Sequence, residues 1–595
     1  MTDAVRYAAL KGFQSGSPVL AGRWSLARDE LRERSDKARA LLMQSGLRPG
    51  DRVAICLEDE AEVAVLFIAC LDAGLPLVLL DPGAGAAQVR STLSAADVRA
   101  AVVERQLAER WGLAPEPGQH LWLAAPRPQR RLVDRLLGRR QPGRADTYPA
   151  LTDALDGAAG LSEHAPASEA LVLSTSGTTG LPKLARLTHG NLLQQAELLR
   201  DRLGFGAAAR VLYVAPLSHV DGIHGLHAAA CNGFTLVRPG PFSIPSIPSL
   251  LDDIYRHQVS HLFINPTLMR LILEFGSDLS VVFADVELVT SSTAPLSVRL
   301  WESFEDATGV RVSDAWGMTE IGNATLSGPD DQSRKVGSIG CATDCEISVR
   351  DEHGAEVADG CRGELFVRGR SVFAGYVGEP ERTPGAWFAT GDLAVRSAAG
   401  HLQLVGRRNS VIIVGGRNVL PGEVDLALEA HPEVRAAATI GLADPIWGER
   451  VVSFVEADAS RVDDAALIAH LEGRLADYQI PRIIRVLDSL PRGRSGKVPR
   501  DALEALVVRD EEDTSLDVTA GVLDVAASIF REPRDALGMD TTPDSCRGWD
   551  SMAHLDFVQR LEHTFGVSLA AEDILAIRSL ADAVDRVRSK LDAAV

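Results

Sequence analysis

Ten residues, STSGTTGLPK at 174–183, place five hydroxyl side chains and two glycines ahead of a lysine. Gly177 and Gly180 let the backbone turn and come close to a ligand, while Ser174, Thr175, Ser176, Thr178 and Thr179 supply hydroxyl and amide donors. Donors without carboxylates, closed by Lys183, suit a phosphate; composition alone also fits a polar surface linker. The spacing G-x-x-G-x-x-K fails the G-x-x-x-x-G-K-[ST] pattern, so the grip differs from that of P-loop NTPases. AWGMTE at 315–320 offers Trp316 as a stacking plane, Gly317 for a turn, Thr319 for a phosphate and Glu320 for a metal. Taken alone, a tryptophan beside a turn is also ordinary core. Asp392, after a Thr-Gly turn in WFATGDLA at 387–394, can accept two ribose hydroxyls or simply cap the turn. Arg407, in GRRNSVIIVGGRNVLPGEVD at 406–425, can bond ribose or phosphate oxygens.

Hydrophobic patterning supplies the elements that must hold these residues. The apolar run 171–173 predicts a short buried strand before the phosphate-type loop, and Leu192, Leu193, Ala196 and Leu199 recur at helical spacing after it. The decapeptide is therefore expected to join a strand to a helix. From about 50 to 450, strand-like runs alternate with helical ones: 53–55, a helix over 61–72, then 75–80. That rhythm predicts α/β architecture with mostly parallel sheets. Beyond 509 the character changes. RDEEDTSLD at 509–517 reads as an acidic linker, and the remainder as a small all-helical unit. Its expected core faces are Val522, Val525, Ala526 and Ile529; Met552, Leu555, Val558, Leu561 and Phe565; and Leu580, Val584 and Val587.

The chain has 595 residues, enough for three or four folding units, with 46% hydrophobic and 24% charged residues. A net charge of −20 argues against nucleic acid or an anionic membrane as the main partner. The longest apolar stretch, 63–71, is too short to span a bilayer. The first residues lack a basic segment followed by an apolar one, and seven scattered cysteines without C-x-x-C pairs fit free thiols; a cytoplasmic setting is expected. RPQRRLVDRLLGRRQPGR at 127–144 carries seven arginines and reads as a solvated basic segment or a docking site. His219, His224 and His227 with Asp221 could suggest a metal cluster, but no cysteine or supporting pattern accompanies them.

Residues from about 20 to 505 resemble the acyl-adenylate-forming superfamily of acyl-CoA synthetases, luciferases and peptide-synthetase adenylation domains. The remainder resembles an acyl or peptidyl carrier protein. The resemblance rests on STSGTTGLPK, AWGMTE, GELFVRG at 363–369, ATGD, the 406–425 segment and LPRGRSGKVPR at 490–500, in that order. It implies a large α/β N-terminal adenylating domain, 1–405, and a small α+β mobile C-terminal subdomain, 406–508. A linker, 509–517, and an all-α four-helix carrier domain, 518–595, follow.

The same resemblance assigns roles. Thr175, Ser176, Gly177, Thr178, Thr179, Gly180 and Lys183 would bind the ATP phosphates, with Trp316, Gly317, Thr319, Asp392 and Arg407 completing the nucleotide site. Glu320 would hold Mg2+. Lys497, which alone reads as a solvated lysine, would reach the carboxylate and α-phosphate. Asn409 stands where the family's hinge residue is usually Asp or Lys. His219, in PLSHVDGIHG at 216–225, falls on a gating position of the acyl pocket and thiol tunnel, with Asp221 beside it. SSTAPLS at 291–297 replaces a segment usually rich in glycine. Ser292 and Thr293 would shrink and polarise the pocket floor for a small or oxygenated acid, unless the loop is merely repacked. Ser551, in GWDSMAHLDFVQRLEHTFGV at 548–567, would carry 4′-phosphopantetheine, although Asp550-Ser551 alone is an ordinary helix cap.

The implied activity is ATP-dependent activation of a carboxylic acid and its transfer to the enzyme's own carrier thiol, feeding polyketide or nonribosomal peptide synthesis. The alternatives are an acyl-CoA ligase, or a non-catalytic scaffold that presents the carrier. Expected partners are the acid, a phosphopantetheinyl transferase and downstream synthase or tailoring enzymes.

Overall fold

The computed structural model describes residues 5–6, 17–114, 119–124, 163–175, 183–239, 246–328, 334–415, 417–444, 448–458, 460–472, 474–492, 498–512, 518–546, 548–549, 551–565 and 567–593. They fall into two compact units: Met1–Thr390 with Ala394–Gln403, and Gly391–Leu393 with Leu404–Val595.

The first unit is built on two large sheets. One has the strand order Gly375–Tyr376, Lys183–Thr188, Glu169–Thr175, Leu77–Leu79, Arg52–Cys56, Val98–Glu104 and His120–Ala124, parallel from Glu169–Thr175 onward. In the other, Val312–Met318, Leu288–Ser291, His261–Ile264, Arg210–Tyr213, Thr235–Arg238 and Pro18–Gly22 run parallel, and Gly322–Ser327 returns antiparallel beside Val312–Met318. Strands buried on both faces explain the continuous Val/Leu/Ile runs. The helix Glu60–Ala73 is apolar nearly all round and buried along its length. Asp59 caps its start, accepting from Ala61 and Glu62 N–H, and Gly74 ends it at φ 68°.

One expectation fails here. Between the phosphate-type loop and the helix His189–Leu203 the chain inserts another strand, Lys183–Thr188, paired antiparallel with Glu169–Thr175 through Lys183↔Thr175. The loop therefore closes a hairpin rather than a strand-to-helix turn. In KLARLT, Leu184, Ala185 and Leu187 are buried, so this short run satisfies its backbone in the sheet before Thr188 and Asn191 form the capping box of the helix.

The second unit begins with an α+β layer. Ala436–Asp444 and Gly448–Glu456 form its central antiparallel pair. Ile483–Leu487 runs parallel beside Gly448–Glu456, and Pro421–Glu429 and Asp464–Leu471 pack over a core of Ile412, Val424, Leu428, Leu467 and Ile484. The helix Arg500–Glu512 extends four residues into the segment expected as linker.

The helices Val518–Phe530, Ser551–Phe565, Ala571–Ala576 and Leu580–Ala593 then enclose Val522, Phe530, Trp549, Phe557, Leu561, Val584 and Val587. Trp549 stacks on Phe530 at 4.3 Å. A second expectation is corrected: Leu555 is 40% exposed, because the buried stripe of its helix runs through Ala553, Phe557, Val558, Leu561 and Phe565 on the opposite side.

Candidate active site

Glu320 ends the AWGMTE run and is buried; its carboxylate accepts a hydrogen bond from the Tyr376 hydroxyl at 2.8 Å. Tyr376 arrives on the two-residue strand Gly375–Tyr376, which pairs with Lys183–Thr188 through Ala185↔Tyr376. That pairing sets the Lys183 ammonium 4.5 Å above the Tyr376 ring, and Lys183 also meets Glu379 at 3.2 Å. Burial and the neighbouring Glu320 charge hold the Tyr376 phenol protonated, well above its ordinary range. A cation, a hydroxyl donor and a buried carboxylate thus converge from three segments. Gly317 makes the bend possible: a Cβ there would lie 2.0 Å from the Gly322 carbonyl oxygen, beside a register shift at Trp316/Gly317. Trp316 is buried, and Thr319 is half-buried.

Asp314, two residues before Trp316, is buried, and burial pushes its carboxyl up to about 8. Sequence reasoning missed Asp314, Tyr376 and Glu379. Asp314 alternates along a strand like any other residue, and Gly-Tyr near 375 has no periodicity; pairing alone brings the tyrosine to the lysine.

His219 precedes the helix Val220–Asn232 and sets its Nδ1 3.6 Å from the Asp221 carboxylate. Ser292 is buried just past Leu288–Ser291, and Thr293 follows at φ 73°. In the second unit, buried Asp392 pairs with Arg407 Nε at 2.7 Å. Asn409 is exposed in the 3-10 turn Arg408–Ser410. Ser176, Gly177, Thr178, Thr179, Gly180, Lys497, Asp550 and the 127–144 segment lie outside the described residues, as does the Ser551 side chain. Thr175, at the loop's edge, donates its hydroxyl to the Lys183 carbonyl at 3.3 Å. Ser551 itself is the first residue of the helix Ser551–Phe565.

Residues 13–377, more than half of the chain, match the AMP-binding enzyme family. The chain belongs to that family. In this AMP-binding enzyme, residues 423–497 further match the AMP-binding enzyme C-terminal domain, and 520–587 match the phosphopantetheine attachment site. It is 36% identical over 364 residues to a sulfoacetate–CoA ligase of Cupriavidus necator, covering 60% of this chain and 70% of that one. It is 30% identical over 502 residues to triostin synthetase I of Streptomyces triostinicus, covering 80% of this chain and 89% of that protein. ATP-bound MatB from Rhodopseudomonas palustris superposes with a TM-score of 0.74 at 25% identity, over 84% of this chain and 98% of that one.

ATP, Mg2+ and 4′-phosphopantetheine are the cofactors of this AMP-binding ligase. The residues present suit them. The buried Glu320 carboxylate offers the hard oxygen that Mg2+ requires, Lys183 offers a cation for phosphate, and Ser551 opens a helix whose N-terminal dipole favours a phosphodiester. Among the described residues, no helix is long and apolar enough to cross a membrane.

Proposed function

We propose that the protein activates a carboxylic acid as its acyl-adenylate and loads it onto the pantetheine thiol at Ser551 of its own carrier domain. One observation carries this reading: an AMP-binding enzyme, its C-terminal domain and a phosphopantetheine attachment domain follow each other in one chain. In the first half-reaction the carboxylate oxygen attacks the α-phosphorus of ATP, the bond to the β-phosphate oxygen breaks, and pyrophosphate leaves. Lys183 binds phosphate oxygens, Glu320, its carboxylate oriented by the Tyr376 hydroxyl, would hold Mg2+, and Asp392 with Arg407 holds the ribose. Lys497 offsets the negative charge that grows at the α-phosphate. Phosphopantetheine supplies the thiol that receives the acyl group as AMP leaves. His219, held beside Asp221, gates its approach, and Asn409 is the pivot that withdraws Lys497 between the halves.

Acid-dependent pyrophosphate exchange tests the first step; intact-mass detection of an acyl group on pantetheinylated Ser551 tests the second. The chain's likeness to CoA ligases supports a second reading, release of acyl-CoA. Free CoA consumed while the carrier stays unacylated would select it.

A further inference from the structure

Four consecutive hydroxyl residues, Thr290, Ser291, Ser292 and Thr293, close the strand Leu288–Ser291 at its carboxyl end. Ligands of parallel α/β sheets bind at that end. Thr290 and Ser291 are 0% exposed, and the hydroxyls of Thr290, Ser291 and Thr293 are buried without a hydrogen-bond partner. Thr293 is also a β-branched residue held at φ 73°, a left-handed conformation that glycine adopts freely and threonine rarely does. Strain and unsatisfied hydroxyls in one stretch of four residues both destabilise the fold, and their coincidence marks a place built to face a ligand.

The neighbours define what such a ligand would be. Across the sheet, Tyr213, Phe263, Thr290 and Ser313 are successive cross-strand partners and share one face. Tyr213 stacks on Phe263 at 4.5 Å. The helix Val220–Asn232 lies on this face so closely that a Cβ at Gly225 would sit 3.1 Å from the Tyr213 ring. Short side chains at 290 and 313 therefore share a face with two stacked aromatic rings, on which the helix Val220–Asn232 packs at Tyr213. The guanidinium of Arg238 on the adjoining strand is committed to the Tyr213 and Ala215 carbonyl oxygens and to Glu60. With that cation committed and the Asp221 charge acting on Tyr213, a second anionic group on the acid is disfavoured on this face.

We propose that the Thr290 hydroxyl, with Thr293 fixing the strand exit behind it, hydrogen-bonds an uncharged hydroxyl or carbonyl oxygen on a short carboxylic acid, and that this contact sets acid selectivity. The inference rests on the adenylation reading above. A site built to bond a substrate oxygen rejects the analogue that lacks it strongly, because its own polar groups are then left unpaired.

Pyrophosphate exchange by the full chain tests it with 3-hydroxybutyrate and acetoacetate against butyrate, malonate, sulfoacetate and benzoate. The expected result is kcat/KM at least about 100-fold higher for one of the oxygenated acids than for butyrate. Isosteric Thr290→Val should bring that ratio within about tenfold by lowering kcat/KM for the oxygenated acid. Thr293→Gly, which removes the strain and so should fold at least as well, should admit bulkier acids. Equal or better use of butyrate or benzoate, preference for either dianion, or a Thr290→Val ratio equal to wild type overturns this inference alone. Silence with every acid overturns the adenylation reading and this inference with it.

Discussion

Tyr376 donates its hydroxyl to the Glu320 carboxylate at 2.8 Å and carries the Lys183 ammonium 4.5 Å above its ring. One aromatic side chain therefore fixes both the proposed Mg2+ ligand and the proposed phosphate cation. Removing only its oxygen, in Tyr376→Phe, keeps the ring under Lys183 and leaves Glu320 without its donor. Outer partners of metal ligands are typically worth tenfold to 100-fold in metal affinity or activity. The expected outcome is a loss of about that size in pyrophosphate exchange, with a raised Mg2+ half-saturation and an ATP KM changed far less. A purely structural tyrosine would lower stability without moving the Mg2+ titration.

The Lys183–Glu379 pair is half exposed on both sides, so it contributes little to folding. Glu379→Gln should leave the melting temperature within about 2 °C, since such pairs are worth about 0 to 1 kcal/mol. If Lys183 serves ATP, freeing it from Glu379 should leave the ATP KM equal or lower, whereas Lys183→Ala should raise it at least about tenfold, roughly one charge-assisted hydrogen bond. Initial-rate kinetics at varied ATP check both.

Asp392 is buried against the half-exposed Arg407. Loss of the aspartate removes the proposed ribose acceptor and strands a guanidinium that remains partly solvated. Asp392→Ala should therefore depress ATP-dependent exchange by about 100-fold or more, and Arg407→Ala by less. Exchange rates with ATP and 2′-deoxy-ATP separate ribose recognition from misfolding: wild type should discriminate between them, and Asp392→Ala should not.

Burial lowers the imidazoles of His224 and His227 to about 4 and about 3 from the ordinary 6.5. The unfolded chain then binds protons that the folded chain does not, in the window between those values and 6.5. Stability is full above pH 6.5, falls progressively from there to about pH 4 and levels off for His224 below that, its total contribution being about 3 kcal/mol by linkage. Melting curves from pH 7 to pH 4 should show this loss, and His224→Phe should flatten it. An unchanged pH profile in that variant would exclude His224 as a source.

Periodicity carried the coarse architecture: the strand at 171–173, the buried helix near 61–72 and the helical carrier faces at 522–529 and 580–587 all form where apolar spacing placed them. It failed where one residue's side could not be read from spacing alone. Leu555 has helical spacing from Val558 yet points away, because the aromatic pair Trp549 and Phe530 draws Phe557 and Leu561 inward. The strand Lys183–Thr188 escaped notice because six residues with three buried positions resemble the start of the helix that follows.

By itself the sequence determined the order of chemical motifs, the family and the presence of a carrier domain, since these depend on local residue types and their spacing along the chain. Only the tertiary structure decided that Tyr376 serves Glu320, that burial raises the Asp314 carboxyl, and that Thr290 and Thr293 hold unpartnered hydroxyls, Thr290 on the sheet face of Tyr213 and Phe263. Such relations join residues tens to hundreds of positions apart through strand pairing, and burial sets their protonation. Neither is encoded in any single window of the chain.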